Sequence, residues 1–183
     1  MKKEMNPWTI ISSEEKYDNP WINLTEYQVI NPNGGKGIYG KVHFKNLAIG
    51  IIPINNNNEI ILIGQYRFPL DVYSWEIPEG GGKLGVDPLD SAKRELLEET
   101  GLKANKWTKL MEMHLSNSVS DELALIYVAE ELEQFEAEPE ETEKLELKKI
   151  HFDEALKMVM NGEITDAMTV AALLKFQLIR NSS

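Results

Sequence analysis

The chain contains no cysteine. That absence removes disulfide cross-links, thiolate nucleophiles and zinc–thiolate centres together. Histidine is nearly as scarce: His43, His114 and His151 stand apart, without the spacing of a ligand set. Positive charge is also short, with 19 Lys and Arg against 30 Asp and Glu and a formal net charge of −11. Nucleic acids and anionic membranes demand a basic face, so this balance argues against both as partners. A small phosphorylated substrate stays open, because divalent cations can invert the sign of a local acidic site. No apolar run approaches the ~20 residues needed to span a bilayer. Met1 to Trp8 carries two lysines but neither the apolar stretch nor the cleavage site of a secretion signal. These absences predict a cytoplasmic protein that binds neither nucleic acid nor membrane.

What is present describes an ordinary globular chain. Its 183 residues, 42% hydrophobic, suffice for one domain, or one domain with a short appended element. The first half reads as β structure. Trp21–Ile30, Gly37–Phe44, Leu47–Ile54 and Glu59–Arg67 are rich in Ile, Val, Tyr and Trp. Asn31-Pro32-Asn33-Gly34-Gly35 and Asn55-Asn56-Asn57-Asn58 predict the turns of two hairpins. Tyr73–Ile77 adds a short strand.

A helix follows, capped by Asp87 or Asp90, with Pro88 in its first turn and Gly101 at its end. Strands return at Trp107–Leu115, Glu122–Ala129 and Lys144–Phe152, with the acidic stretch Glu130–Glu143 as a loop. Asp153 is expected to cap a helix to Met160, and Thr165 a final helix to about Ile179. The predicted fold class is α+β. The best boundary lies near Phe44–Asn46, dividing an N-terminal β element (1–45) from the remainder (46–183).

The helix carries the chemistry. At about 100° per residue, Glu95, Glu98 and Glu99 share one face, while Leu89, Ala92 and Leu96 gather beside them to bury. Like charges at these spacings repel, and Arg94 offsets only part of the charge. A hard divalent cation accounts for the arrangement, since magnesium prefers oxygen ligands. The preceding Pro78-Glu79-Gly80-Gly81-Gly82-Lys83 reads as an open glycine loop that lets backbone approach a ligand. Taken singly, an acidic helix face is a solvated surface and a glycine triplet is a turn.

Together, Gly80 to Leu102 resembles the signature of the Nudix hydrolases: Gly, five residues, Glu, seven residues, then Arg-Glu-aliphatic-x-Glu-Glu-x-Gly-aliphatic. Gly80, Arg94, Glu95, Leu96, Glu98, Glu99, Gly101 and Leu102 fall at the required positions, and Val86 replaces the first signature Glu. Flanking stretches, including Tyr17–Ile22, Gly64–Pro69, Tyr73–Gly80 and Gly162–Ala167, are similar to the subgroup that hydrolyses ADP-ribose and related nucleoside diphosphate sugars.

The resemblance implies a Nudix-type α/β/α sandwich with a mixed β-sheet, plus an N-terminal antiparallel β element used for homodimerisation and substrate contacts. It also implies magnesium ions (manganese as a substitute) on Glu95, Glu98, Glu99 and the Glu79 carbonyl. Hydrolysis would yield a nucleoside monophosphate and a sugar phosphate. The general base is expected from the late acidic loop: Glu141 first, then Glu143 and Glu140. Arg67 is the candidate phosphate ligand, with a surface salt bridge as the plain alternative; Lys45 and His43 are weaker candidates. Gly80 belongs to the substrate-binding set. Tyr17 and Trp21 could stack on the base, although Trp21 reads equally as core, and Trp75 reads as core. His114 and His151 are expected to be structural, and Met111, Met113, Met158 and Met160 to pack. Two other readings remain: a non-catalytic nucleotide-sugar sensor, supported by Val86 alone, and an enzyme acting on nucleoside triphosphates or capped RNA.

Overall fold

The computed structural model describes residues 5–136 and 145–182. Its element order is β1 (Thr9–Asp18), β2 (Ile22–Ile30), β3 (Lys36–Phe44), β4 (Asn46–Pro53), β5 (Glu59–Arg67), β6 (Val72–Glu76) and β7 (Glu79–Lys83). Helix α1 (Pro88–Thr100), β8 (Leu102–His114), β9 (Leu123–Gln134), β10 (Glu146–His151), α2 (Phe152–Met160) and α3 (Ala167–Arg180) complete it. By contact density the chain forms two compact units, Met1–Asn46 with Ser116–Glu122, and Leu47–Leu115 with Leu123–Ser183.

In the first unit β1, β2 and β3 form an antiparallel sheet in that order. The Asn31–Gly35 turn closes the β2–β3 hairpin as expected, with Gly34 at φ +82°. Strand β1 was not anticipated: Thr9–Asp18 is exposed throughout, Ile10, Ile11 and Tyr17 included, and its pairing with β2, not burial, makes it a strand.

The second unit is the layered part. A mixed sheet of order β7-β4-β9-β8 lies at its centre, with β4 and β9 parallel. Both faces of this sheet are covered, so β4 and β9 read as continuous apolar runs instead of alternating ones. Ile49, Ile51, Leu125, Tyr127 and Ala129 pack with Ala92 and Leu96 of α1. Ile52, Ala124, Ile126 and Val128 pack with Phe152 and Ala155 of α2 and Ala172 and Leu173 of α3. This two-residue alternation produces the α/β/α sandwich. A second antiparallel sheet, β10-β5-β6, completes the unit.

Several local expectations change. The Asn55–Asn58 turn does not make a hairpin: β4 and β5 belong to different sheets, joined across the turn by the single Ile54–Ile60 bridge. Strand β9 runs on through Glu130–Gln134, where a loop was expected, because Lys106 and Lys103 of β8 face Glu130 and Glu133 across the ladder. Helix α2 is capped by His151, whose ring nitrogen accepts from the Asp153 N–H, and α3 by Asp166, which accepts from the Thr169 N–H. Asp153 and Thr165 are therefore not the caps. Met158 is buried and Met111 and Met113 pack on the core, but Met160 is exposed.

Asp87 is the N-cap of α1, accepting from the Leu89 N–H at 3.0 Å. Replacing it by Ala is expected to cost about 1 kcal/mol. A two-state thermal melt of Asp87→Ala checks this, since removing the cap leaves the carboxylate face in place.

Candidate active site

The glycine stretch is a strand, not a loop. Glu79–Lys83 is β7, the edge of the central sheet beside β4. Gly82 lies against Ile49, where an added Cβ would stand 2.9 Å from a side-chain carbon. Gly80 lies against α1, where an added Cβ would fall within the carboxyl group of Glu95. The glycines thus bring strand backbone flush against the carboxylate face of the helix.

Asp87 and Pro88 start α1, and Gly101 stops it at φ +69°, donating its N–H to the Leu97 carbonyl. Glu95 and Glu99 are buried and Glu98 is half-buried. Glu99 Oε2 accepts the Glu79 N–H at 3.0 Å, tying helix to strand. Arg94 spans the same joint: Nη1 reaches Glu98 at 2.5 Å, and Nη2 reaches Glu95 at 2.6 Å and the Gly81 carbonyl at 2.8 Å. Arg94 thus joins Glu95 and Glu98, and the β7 backbone holds Glu99, but among the described residues the three carboxylates do not gather ligand oxygens within 4.8 Å of one another. Val86, where the signature calls for Glu, is exposed.

Beside this joint lies a second acidic group that sequence reading missed. Glu76, Glu79 and Asp166 each place a carboxylate oxygen within 4.8 Å of the other two. Arg67 runs between them, its Nη2 paired with both Glu76 and Glu79 and its Nε bonded to Glu76 at 2.9 Å. Burial, with Asp166 and Glu76 alongside, pushes the Glu79 carboxyl well above its ordinary range although Arg67 opposes this. Burial pushes the same way at Glu76, but the hydrogen bond and charge of Arg67 outweigh it and hold that carboxyl low. Glu76 on β6 and Asp166 at the start of α3 are 90 residues apart, so only the fold unites them.

A family model described as the NUDIX domain matches residues 44–170. The chain belongs to the NUDIX family. A second model, the nucleoside diphosphate sugar hydrolase N-terminal domain, matches residues 8–42. The chain is 34% identical over 170 residues to the ADP-ribose pyrophosphatase of Bacillus subtilis, spanning 92% of this chain and 91% of that one. It is equally, 34%, identical to the methanol dehydrogenase activator of Bacillus methanolicus, with the same coverage of 92% and 91%. A crystal structure of ADP compounds hydrolase superposes with a TM-score of 0.87, covering 99% of this chain and 98% of that one at 23% identity. That likeness shows the shared fold, the Nudix-type sandwich expected from the sequence.

NUDIX hydrolases generally use a divalent metal. The donors here fit one: they are carboxylate and carbonyl oxygens, the hard ligands such ions take. At Gly80 the Glu95 carboxyl itself occupies the space that any side chain would fill, which brings it against the β7 backbone.

The remaining candidate residues fall in three places. In this Nudix chain Arg67 is half-buried against Glu76 and Glu79, so it is neither a surface salt bridge nor unengaged. In the N-terminal unit Lys45 donates to the Asn19 carbonyl and to Asp18, each at 2.6 Å. His43 Nδ1 lies 2.8 Å from Asp121. Burial would raise the Asp121 carboxyl, but His43, Lys41 and the Phe44 N–H prevail and bring it to about 2. Tyr17 and Trp21 are exposed there, which overturns a core role for Trp21: the Asn19 side chain caps this turn, accepting from the Trp21 N–H at 2.9 Å, and leaves the ring outside. Trp75 packs on the core, as expected, under Lys148. Glu140, Glu141 and Glu143 lie outside the described residues. Among the described residues no helix is long and apolar enough to cross a membrane.

Proposed function

We propose that this enzyme hydrolyses the pyrophosphate bond of nucleoside diphosphate sugars with magnesium, ADP-ribose being the first candidate and ADP-glucose and GDP-mannose the next. Products are a nucleoside monophosphate and a sugar phosphate. The observation that carries the reading is the joint of β7 and α1, where Gly80 admits the Glu95 carboxyl and Glu99 accepts the Glu79 N–H. The N-terminal match to nucleoside diphosphate sugar hydrolases supports the substrate class.

In this reading Glu95, Glu98, Glu99 and the Glu79 carbonyl hold magnesium. When bound, magnesium (manganese in its place) neutralises the diphosphate and makes nearby water more acidic. The chain's own residues do the rest. Water attacks one phosphorus in line, and Glu141, with Glu143 and Glu140 as the next choices, takes its proton. Arg67 faces the phosphates as a planar cation held in place by Glu76 and Glu79. Gly80 keeps side-chain bulk away from the substrate, and Lys45 adds positive charge for the anion. Tyr17 and Trp21, exposed on the 1–45 element, stack on the base across a homodimer, which leaves 46–183 as the catalytic part. A cysteine-free chain acting on nucleotides fits the cytoplasm.

A panel of nucleoside diphosphate sugars with magnesium, scored by released monophosphate, tests the reading. Release from none of them, with binding retained, would instead indicate a sensor. For the proton acceptor, Glu141→Gln should lower kcat about 100-fold or more and remove the acidic limb of the pH–rate profile. An unchanged profile would move the role to Glu143 or Glu140.

A further inference from the structure

We infer that Glu76, Glu79 and Asp166 form a second divalent-cation site, separate from the carboxylate face of α1. Its three oxygens come from three elements: the end of β6, the start of β7 and the N-cap of α3. Each lies within 4.8 Å of the others. Oxygens bound to one hard cation at about 2.0–2.6 Å stand about 3–3.5 Å apart side by side and about 4–5 Å apart across it, so a spread within 4.8 Å falls within the span of one coordination shell.

A further observation points to an ion there. Glu79 Oε2 is buried and has no hydrogen-bond partner, on a side chain only 8% exposed. An orphaned carboxylate oxygen in such a place is costly unless something positive meets it. Arg67 does not meet it, because the guanidinium engages the other oxygen, Oε1. Asp166 spends Oδ2 on the Thr169 N–H, which leaves Oδ1 for a ligand.

Room is present on the Glu76 and Asp166 side. Arg67, Pro69, Leu70, Ser74, Glu76 and Asp166 line a pocket of about 160 Å³, large enough for the waters that magnesium retains. All donors are hard oxygens, which selects magnesium, manganese or calcium over softer metals. A cation here would fix α3 and β6 against β7, beside the Arg67 guanidinium that Glu76 and Glu79 hold.

The test uses manganese as the probe. In the unmodified protein crystallised with Mn²⁺ at a saturating concentration, an anomalous peak is expected at ligand distance from Glu79 Oε2, apart from any peak on α1. In solution, the Glu95→Gln/Glu98→Gln/Glu99→Gln variant should retain one Mn²⁺ per chain by equilibrium dialysis. Adding Asp166→Asn, which keeps the cap, should weaken that binding at least about tenfold. Because the second site is read apart from α1, its failure is distinguishable from failure of the hydrolytic reading. No anomalous peak at Glu79 in the unmodified protein overturns the proposal, whether or not the variants fold; the orphaned oxygen would then be met by a proton shared with Glu76.

Discussion

Glu98→Gln and Glu99→Gln are each expected to lower kcat/KM for a nucleoside diphosphate sugar by at least about 100-fold. Each exchange removes one carboxylate charge and keeps the shape. If the charge helps hold a cation that neutralises the diphosphate, several kcal/mol of transition-state stabilisation goes with it. Every 1.36 kcal/mol is about tenfold in rate. The two variants should differ in detail. Glu99 is buried, and its Oε2 bond to the Glu79 N–H can pass to a Gln oxygen, so folding should survive while metal affinity falls. Glu98 is more exposed and paired with Arg94, so added magnesium should restore more activity there than at Glu99. Steady-state assays across a magnesium series decide this. Wild-type turnover in both variants would remove the helix from the mechanism.

Gly80→Ala is the second large effect, and it separates stability from activity. The three atoms nearest an added Cβ all belong to the carboxyl end of Glu95. The flexible end of a side chain can move aside, so the variant should fold with only a small change in thermal midpoint. Moving aside takes Glu95 away from the β7 backbone and from its place beside Glu98 and Glu99. A displacement of about 1 Å in a catalytic constellation can cost about 100-fold, and a fall of that size in kcat is expected. A melt together with an assay checks both halves: lost stability with retained kcat would mean that Gly80 serves packing alone.

How much was legible in the sequence differs from element to element. Helix α1 was fully so, because Asp87, Pro88 and Gly101 punctuate it locally and its apolar and acidic residues fall at helical spacing. Strands β2 through β5 were visible through their Ile, Val and Tyr content. Strand β7 was not, since glycine has low β propensity; its strand state is imposed by pairing to β4 and by the close approach of Ile49 and Glu95, both distant in sequence. The same holds for β1 and the charged end of β9, where cross-strand partners substitute for burial.

At the site, the helix carboxylates were found because one stretch of chain carries them all. Glu76 and Asp166 escaped because no local pattern links β6 to the N-cap of α3. Arg67 was noticed from its flanking motif, but its two buried partners were not, since ion pairing across strands depends on register that the sequence does not display.

The central claim is that the carboxylate face of α1 grips a pyrophosphate through cations. A crystal structure of the unmodified protein with magnesium and a non-hydrolysable ADP-ribose analogue tests it most directly. The account predicts magnesium on Glu95, Glu98 and Glu99, with Arg94 released from at least one of them, and the diphosphate oxygens on the far side of the metal. An analogue seated elsewhere, with the Arg94 pairs intact and α1 free of metal, would contradict it.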